Sequence, residues 1–206
     1  MTEPVRSAAR SYTYPIHELL AARWSPRSFA DRPVDAGTLG ALLEAARWAP
    51  SSATEQPCRL IVGPRDDAQT WSNVLACINE RNQRWAKTAP VLMLACAMRH
   101  SARSGQPNAF AWYDTGQAVA HMTFQAAALG LYVHQMGGFS RDVARERFAI
   151  PPEADAVTAI AVGYLGEPAV LPEDLRVREL ARSQRKPLTE LAYGATWGTV
   201  PGFVTP

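Results

Sequence analysis

Residues 23–29 read Arg-Trp-Ser-Pro-Arg-Ser-Phe, so Arg23 and Arg27 stand four positions apart with Trp24 and the Ser25 hydroxyl between them. A guanidinium is a planar fork of donors that matches phosphate oxygens or paired carbonyls. The run could therefore grip an anion, or be a solvated basic turn. Pro50-Ser51-Ser52-Ala53-Thr54-Glu55-Gln56-Pro57 is a second cluster, rich in hydroxyls that could meet a polar ligand or satisfy the backbone of their own loop. His134-Gln135-Met136-Gly137-Gly138-Phe139 ends an apolar run. Paired glycines there admit a flat ligand close to the backbone, with N–H groups to donate, or simply turn the chain at a strand end. Arg185-Lys186-Pro187-Leu188 supplies one more guanidinium and, taken alone, is a basic surface run.

Other chemistries are disfavoured by what the chain carries. The four histidines, His17, His100, His121 and His134, fall into no HxxxH or HExxH spacing, and Cys58, Cys77 and Cys96 form no CxxC pair, so no metal site is expected. Three scattered thiols suit a reducing compartment, and the cytoplasm is the expected location. Cys58 stands beside the Ser/Thr loop, yet nothing adjacent in sequence would lower its pKa. The absence of GxGxxG and GxxxxGK[ST] means that any nucleotide-like phosphate would have to be held mainly by side chains. Lys and Arg number 21 against 19 Asp and Glu, a net charge of +2, and no basic face interleaved with aromatics stands out, which argues against a nucleic-acid partner. Thr115 to Ser140 carries no formal charge and is long enough to span a bilayer. Gln117, His121, Gln125, His134 and Gln135 interrupt it, and a buried helix followed by a buried strand is the better reading. Met1 to Tyr14 lacks the apolar core of a signal peptide.

The 206 residues show no repeat and no linker, so one domain is expected over 15–195, with an N-terminal arm at 1–14 and a tail at 196–206. Pro15 introduces a short helix through Ala22. Asp35 caps a helix to Ala49, where Leu39, Leu42, Leu43 and Ala46 keep helical spacing and Pro50 stops it. Cys58 to Val62 reads as a strand, and Asp67 to about Arg84 as one helix with Trp71, Val74, Leu75 and Ile78 on a face. Val91 to Met98 is apolar throughout, as a strand covered on both sides should be. Phe110 to Leu129 has apolar or small residues round nearly its whole circumference and reads as a central buried helix. Tyr132 to Met136 is a strand, Arg141 to Phe148 a helix capped by Ser140, Val157 to Tyr164 a strand, and Leu188 to Ala192 a last turn. Propensity alone, with strands and helices alternating, suggests an α/β sheet.

Taken together and in order, these motifs resemble the FMN-dependent nitroreductase family. The resemblance rests on RxSxRxF, the PSS…QP loop, Tyr113-Asp114-Thr115-Gly116 opening the central helix, HQMGGF, Pro151 before the last apolar strand, and the final Arg185-Lys186-Pro187-Leu188, and runs from about Ile16 to Leu191. It implies an α+β fold, a mixed and mostly antiparallel sheet flanked by helices, in an intertwined homodimer. It also implies that Arg23 holds the FMN phosphate, with Trp24 in the same run and Ser25 at the phosphate or ribityl end. Arg27 would reach the N1/O2 edge of the isoalloxazine. Pro50, Ser51, Ser52 and Thr54 would approach from the second subunit. Gln135, Met136, Gly137 and Gly138 would line the ring, one glycine N–H donating to N5. Arg185 would return to the phosphate, and Asn79 or Asn82 would touch the ring edge. The chain departs from the family pattern at Thr54, where Asn is common, and at Cys58, where Trp often follows QP.

The implied activity is transfer of hydride from NAD(P)H to FMN and on, by a ping-pong mechanism, to a small electron-poor acceptor such as a nitroaromatic or a quinone. Flavin N5 carries the chemistry, so no side chain is expected to be a catalytic nucleophile. His134 is placed to relay a proton. Two alternatives use the same residues: an FMN-dependent dehydrogenase or oxidase of a small biosynthetic substrate, and a non-catalytic FMN binder.

Overall fold

Strand β2 (Val91–Met98) is the spine of the molecule, and its composition explains its place. Val91, Met93 and Ala95 face one core cluster, while Leu92, Leu94 and Cys96 face another, so both sides of the strand are buried. A strand without a polar side must be covered by helices on both faces. The computed structural model describes residues 12–181 and 184–205. Most of the expected N-terminal arm therefore lies outside the described residues.

The sheet has four strands in the order β1 (Cys58–Pro64), β2, β4 (Ala154–Gly163), β3 (Tyr132–Met136). Each neighbouring pair is antiparallel, so among the described residues the sheet is not mixed. The α/β expectation from alternation fails for a topological reason. β2 and β3 do run parallel to each other, joined across the sheet by the central helix, but they are not neighbours: β4 fills the space between them and runs the opposite way. β4 begins at Ala154, three residues before the expected start, and the ladder with β2 shifts register between Ala95 and Cys96.

One face is covered by α2 (Ala36–Arg47) and the long α5 (Ala111–Ala128), the other by α3 (Ala68–Cys77), α4 (Glu80–Ala86) and α6 (Arg141–Phe148). A short α1 (Glu18–Ala22) precedes the arginine run, and α7 (Glu173–Leu180), which sequence periodicity did not reveal, follows β4. Side-chain caps start several helices as expected: Asp35 accepts from Thr38 N–H, and Ser140 from Val143 N–H.

Two helix expectations need correction. The apolar face of Asp67–Arg84 does not belong to one helix: α3 stops at Cys77, Ile78 is extended and bridges Phe139, and Asn79 caps a new helix by accepting from Asn82 N–H. The pairing with Phe139 and the cap outweigh the continuing periodicity. Helix α5 is not buried all round. Asp114, Thr115, Ala118, Val119, Met122 and Ala126 are buried, whereas Trp112 and Tyr113 are 46% and 68% exposed. The uncharged stretch from Thr115 to Ser140 is this helix and β3, and among the described residues no helix is long and apolar enough to cross a membrane.

Candidate functional site

The arginine run lies along the free edge of β3. Trp24 meets Tyr132 edge to face at 5.9 Å between ring centroids, and two residues on His134 Nδ1 is 2.7 Å from the Pro26 carbonyl. Phe29 itself pairs with Leu165, after β4, and Ser28 Oγ donates to the Glu167 carbonyl at 2.7 Å. The run thus flanks the first part of β3, where Arg23 and Trp24 line a small cavity with Gly130, Leu131, Tyr132 and Val133, while Gln135, Met136, Gly137 and Gly138 lie further along, at the end of the same edge strand.

Arg27 is half-buried. Burial pushes its pKa down, the Glu179 carboxylate opposes that, and Arg178 and Arg81 add to the fall. His134 is closely enclosed, its ring 4.3 Å from that of Trp85, which in turn stacks on Phe29 at 6.4 Å. Burial takes the His134 pKa down to about 4, against the bond to Pro26 and with help from the Arg27 charge. A carbonyl can only accept, so the neutral ring carries its proton on Nδ1. That proton is committed to the backbone, so any relay through His134 would have to use Nε2.

The glycine pair has a built seat. A Cβ on Gly138 would lie 2.4 Å from Asn79 Nδ2 and 2.7 Å from Asn82 Nδ2, so any larger residue would have to push the two amides aside. Asn79 N–H donates to the Gly138 carbonyl at 3.0 Å. Asn79 and Asn82 thus hold the glycine turn, and their amides border it. Gly137 differs: a Cβ there would meet nothing within 4 Å, so its backbone faces open space.

The Ser/Thr loop stands apart. It leads into β1, the opposite edge of the sheet, three inter-strand steps or roughly 14 Å from β3. Both loops lie towards the same end of the sheet, because Cys58 pairs with Ala97 and Ala97 with Asp155 near the start of β4. Ser52 N–H donates to buried Asp114 of α5 at 3.0 Å. Ala53, Thr54 and Gln56 adopt left-handed φ values of 50°, 57° and 47°, which costs non-glycine residues energy. Glu55 anchors the strained turn by accepting from Ser101 Oγ at 2.7 Å and Ala102 N–H at 3.0 Å. A cavity of about 270 Å³ opens beside Pro50, Ser51, Cys58 and Asp114. Burial, with Cys96 nearby, raises the Cys58 thiol to about 11 against the pull of Arg59, so it is a packing residue and not a thiolate.

Arg185 is exposed, and its guanidinium donates to the Gln184 carbonyl at 3.0 Å. No contact brings it to Arg23 among the described residues. No cluster of three or more His, Cys, Asp or Glu able to hold a metal occurs among them either. Two residues of the sites had no role assigned from sequence. Asp114 was quoted only as part of a motif. Glu179 is recognisable only as an acid four residues after Leu175, on the phase that α7 buries.

The Nitroreductase family pattern matches residues 20–164, a span that contains the arginine run, the Ser/Thr loop and the glycine turn. The chain belongs to the nitroreductase family. A structure described as an oxidoreductase containing FMN is 34% identical, covers 96% of this chain and 98% of its own, and superposes with a TM-score of 0.87. A family structure from Desulfovibrio desulfuricans, solved in complex with FMN, is 26% identical over 87% of this chain and 96% of its own, with a TM-score of 0.68. An uncharacterised 15.4 kDa protein from the ask 5′ region of Mycolicibacterium smegmatis is 31% identical over 147 residues, 68% of this chain and 97% of that protein. Within this nitroreductase the family match ends at β4, so α7 and everything after it lie beyond it.

Proposed function

We propose that this nitroreductase binds FMN across a homodimer interface and catalyses NAD(P)H-dependent reduction of a small, flat, electron-poor acceptor. The observation that carries the reading is that the arginine run and the glycine turn share one free sheet edge, with open backbone at Gly137. The residues fit such a cofactor. Arg27, Arg81 and Arg178 gather positive charge near one buried carboxylate, which favours an anionic ligand. Gly137 offers backbone to a planar ring without a side chain in the way. The two relatives that contain FMN support the choice of flavin.

In this reading Arg23 and Ser25, with Trp24 alongside, hold the phosphate and ribityl end, and Arg185 joins them. Arg27 places its charge at the pyrimidine edge of the ring, where reduction deposits negative charge. Met136 is buried behind the turn while Gln135, Gly137 and Gly138 border the ring. FMN, when bound, supplies the two-electron chemistry between NAD(P)H and acceptor. The protein binds and orients it and sets its potential.

The Ser/Thr loop requires the second subunit. Pro50, Ser51, Ser52 and Thr54 sit at the far edge of the sheet from Arg23 and Gly137, so one chain alone does not close both around a single tricycle. A two-fold axis would bring each loop to the other chain's arginines and produce two equivalent sites.

The test is spectroscopic. Purified protein should be yellow, or become so with added FMN, and should bleach rapidly with NADPH or NADH under argon. Arg23→Ala should copurify with little flavin. Protein that stays colourless in excess FMN would refute the proposal. Flavin that ignores both nicotinamides but bleaches with a reduced organic substrate would favour the dehydrogenase reading.

A further inference from the structure

Helix α7 lies outside the segment that identifies the family, yet its one buried charge is aimed at the arginine run. Glu179 is 2% exposed. Its Oε2 accepts from Arg27 N–H at 2.7 Å and its Oε1 from Ser28 N–H at 3.4 Å, across 150 residues of sequence. The charge of the same carboxylate raises the Arg27 pKa, against the effects of burial and of Arg178 and Arg81. Five residues before Glu179, α7 reaches the helix that seats the glycine turn. Arg84 of α4 donates twice to Asp174, both bonds 2.8 Å, and α4 carries the Asn79 and Asn82 amides that seat Gly138.

We propose that Glu179 is a positioning residue for the cofactor: it fixes the backbone at Arg27–Ser28 and balances the charge Arg27 presents, while α7 braces arginine run and glycine turn as one unit. This rests on the FMN reading given above. The physical case is that a buried carboxylate is retained only where it is paired or hydrogen-bonded, and charge-assisted bonds to backbone N–H groups hold more firmly than neutral ones. A guanidinium four or five bonds out from its backbone can be aimed only if that backbone is fixed. The bonds to residues 27 and 28 fix it at the root of the side chain the proposed site depends on.

The test compares wild type with Glu179→Gln, Glu179→Asp, Arg27→Ala and the Arg27→Ala/Glu179→Gln double variant. FMN affinity is read by fluorescence titration and the flavin midpoint potential by dye equilibration. The amide of Glu179→Gln keeps one acceptor, turns an N–H₂ towards a backbone N–H and removes the charge. FMN affinity should fall tenfold or more, while the midpoint potential moves positive because the Arg27 charge is left unbalanced. In the Arg27→Ala background the same substitution should leave the potential unmoved, which a merely structural role for Glu179 would not require. Glu179→Asp keeps the charge but draws it back from the N–H groups, so affinity should fall while the potential stays near wild type. This variant carries the test if circular dichroism shows Glu179→Gln to be unfolded. Wild-type affinity and potential in the folded glutamine variant, or wild-type affinity in the aspartate variant, would overturn the proposal. Failure of the wild type itself to take up FMN would instead refute the flavin reading, whatever Glu179 does.

Discussion

His134 donates from Nδ1 to the Pro26 carbonyl and lies against Trp85, and this placement fixes its protonation. Unfolded, the ring titrates near 6.5; folded, it titrates at about 4. A base whose pKa drops on folding holds its proton less well in the native state. Its contribution is therefore full above pH 6.5 and is lost as the pH falls towards 4, a change of about 3 kcal/mol from linkage. Urea unfolding at pH 7 and pH 4.5 should show a smaller loss of stability for His134→Asn than for wild type. Parallel losses would mean that the imidazole is not the group responsible. At this scale the sequence offered candidates where a residue's type suggests its chemistry, as with Arg23, Arg27 and the paired glycines, whose roles remain proposals for the flavin titrations to decide. It was silent where the role comes from tertiary placement. Glu179 acquires its role only because α7 returns to residues 27 and 28, and no local pattern encodes that return.

Between residues and fold stand the loops and the helices that hold them. The turn at Ala53–Gln56 stores three left-handed conformations in non-glycine residues, each costing on the order of 1 kcal/mol or more. It persists because Asp114 holds it from below and Glu55 ties it to Ser101 and Ala102. Asp114→Ala would leave Ser52 N–H without its acceptor and release the turn, destabilising the protein by about 1–3 kcal/mol. Asp114→Asn, which retains an acceptor oxygen, should recover much of that. Denaturant midpoints of the two variants check the order, and equal midpoints would show that the bond does not matter. The limits of legibility at this level follow the same logic. Helix α2 was plain from its helical spacing and strand β2 from its unbroken apolar run, because each pattern of burial is written in the local sequence. The break at Ile78–Asn79 was hidden because Trp71, Val74, Leu75 and Ile78 keep helical phase up to the point where a non-local pairing with Phe139 takes over.

For the whole molecule the decisive facts are the strand order and the side of α5 that no described residue covers. Phe110, Trp112 and Tyr113 open that helix at 54%, 46% and 68% exposure, and Trp48 at the end of α2 is 72% exposed. Aromatics gathered beside a strained functional loop mark an interaction surface. Residues of α5 from Asp114 to Ala126 pack into this chain's own core, and the proposed second subunit would cover the exposed aromatics at its start. Sedimentation velocity should give a particle of two chains, and Tyr113→Arg should yield single chains that have also lost flavin. A monomer that retains tight flavin would contradict the shared site. The nitroreductase fold and its mostly antiparallel sheet were recognisable from motif order, whereas alternation of helices and strands alone pointed to an α/β sheet, since it says nothing about which strand fills the space beside another.

If the pocket is shared between two chains as proposed, placing Arg23 and Ser52 on opposite margins of one chain has a genetic corollary. A copy crippled in its arginines and a copy crippled in its hydroxyl loop are each useless when paired with their own kind. Paired with each other, they pool both lesions in one pocket and leave the second pocket wild type. Two defective alleles in the same cell would then restore part of what neither supplies alone.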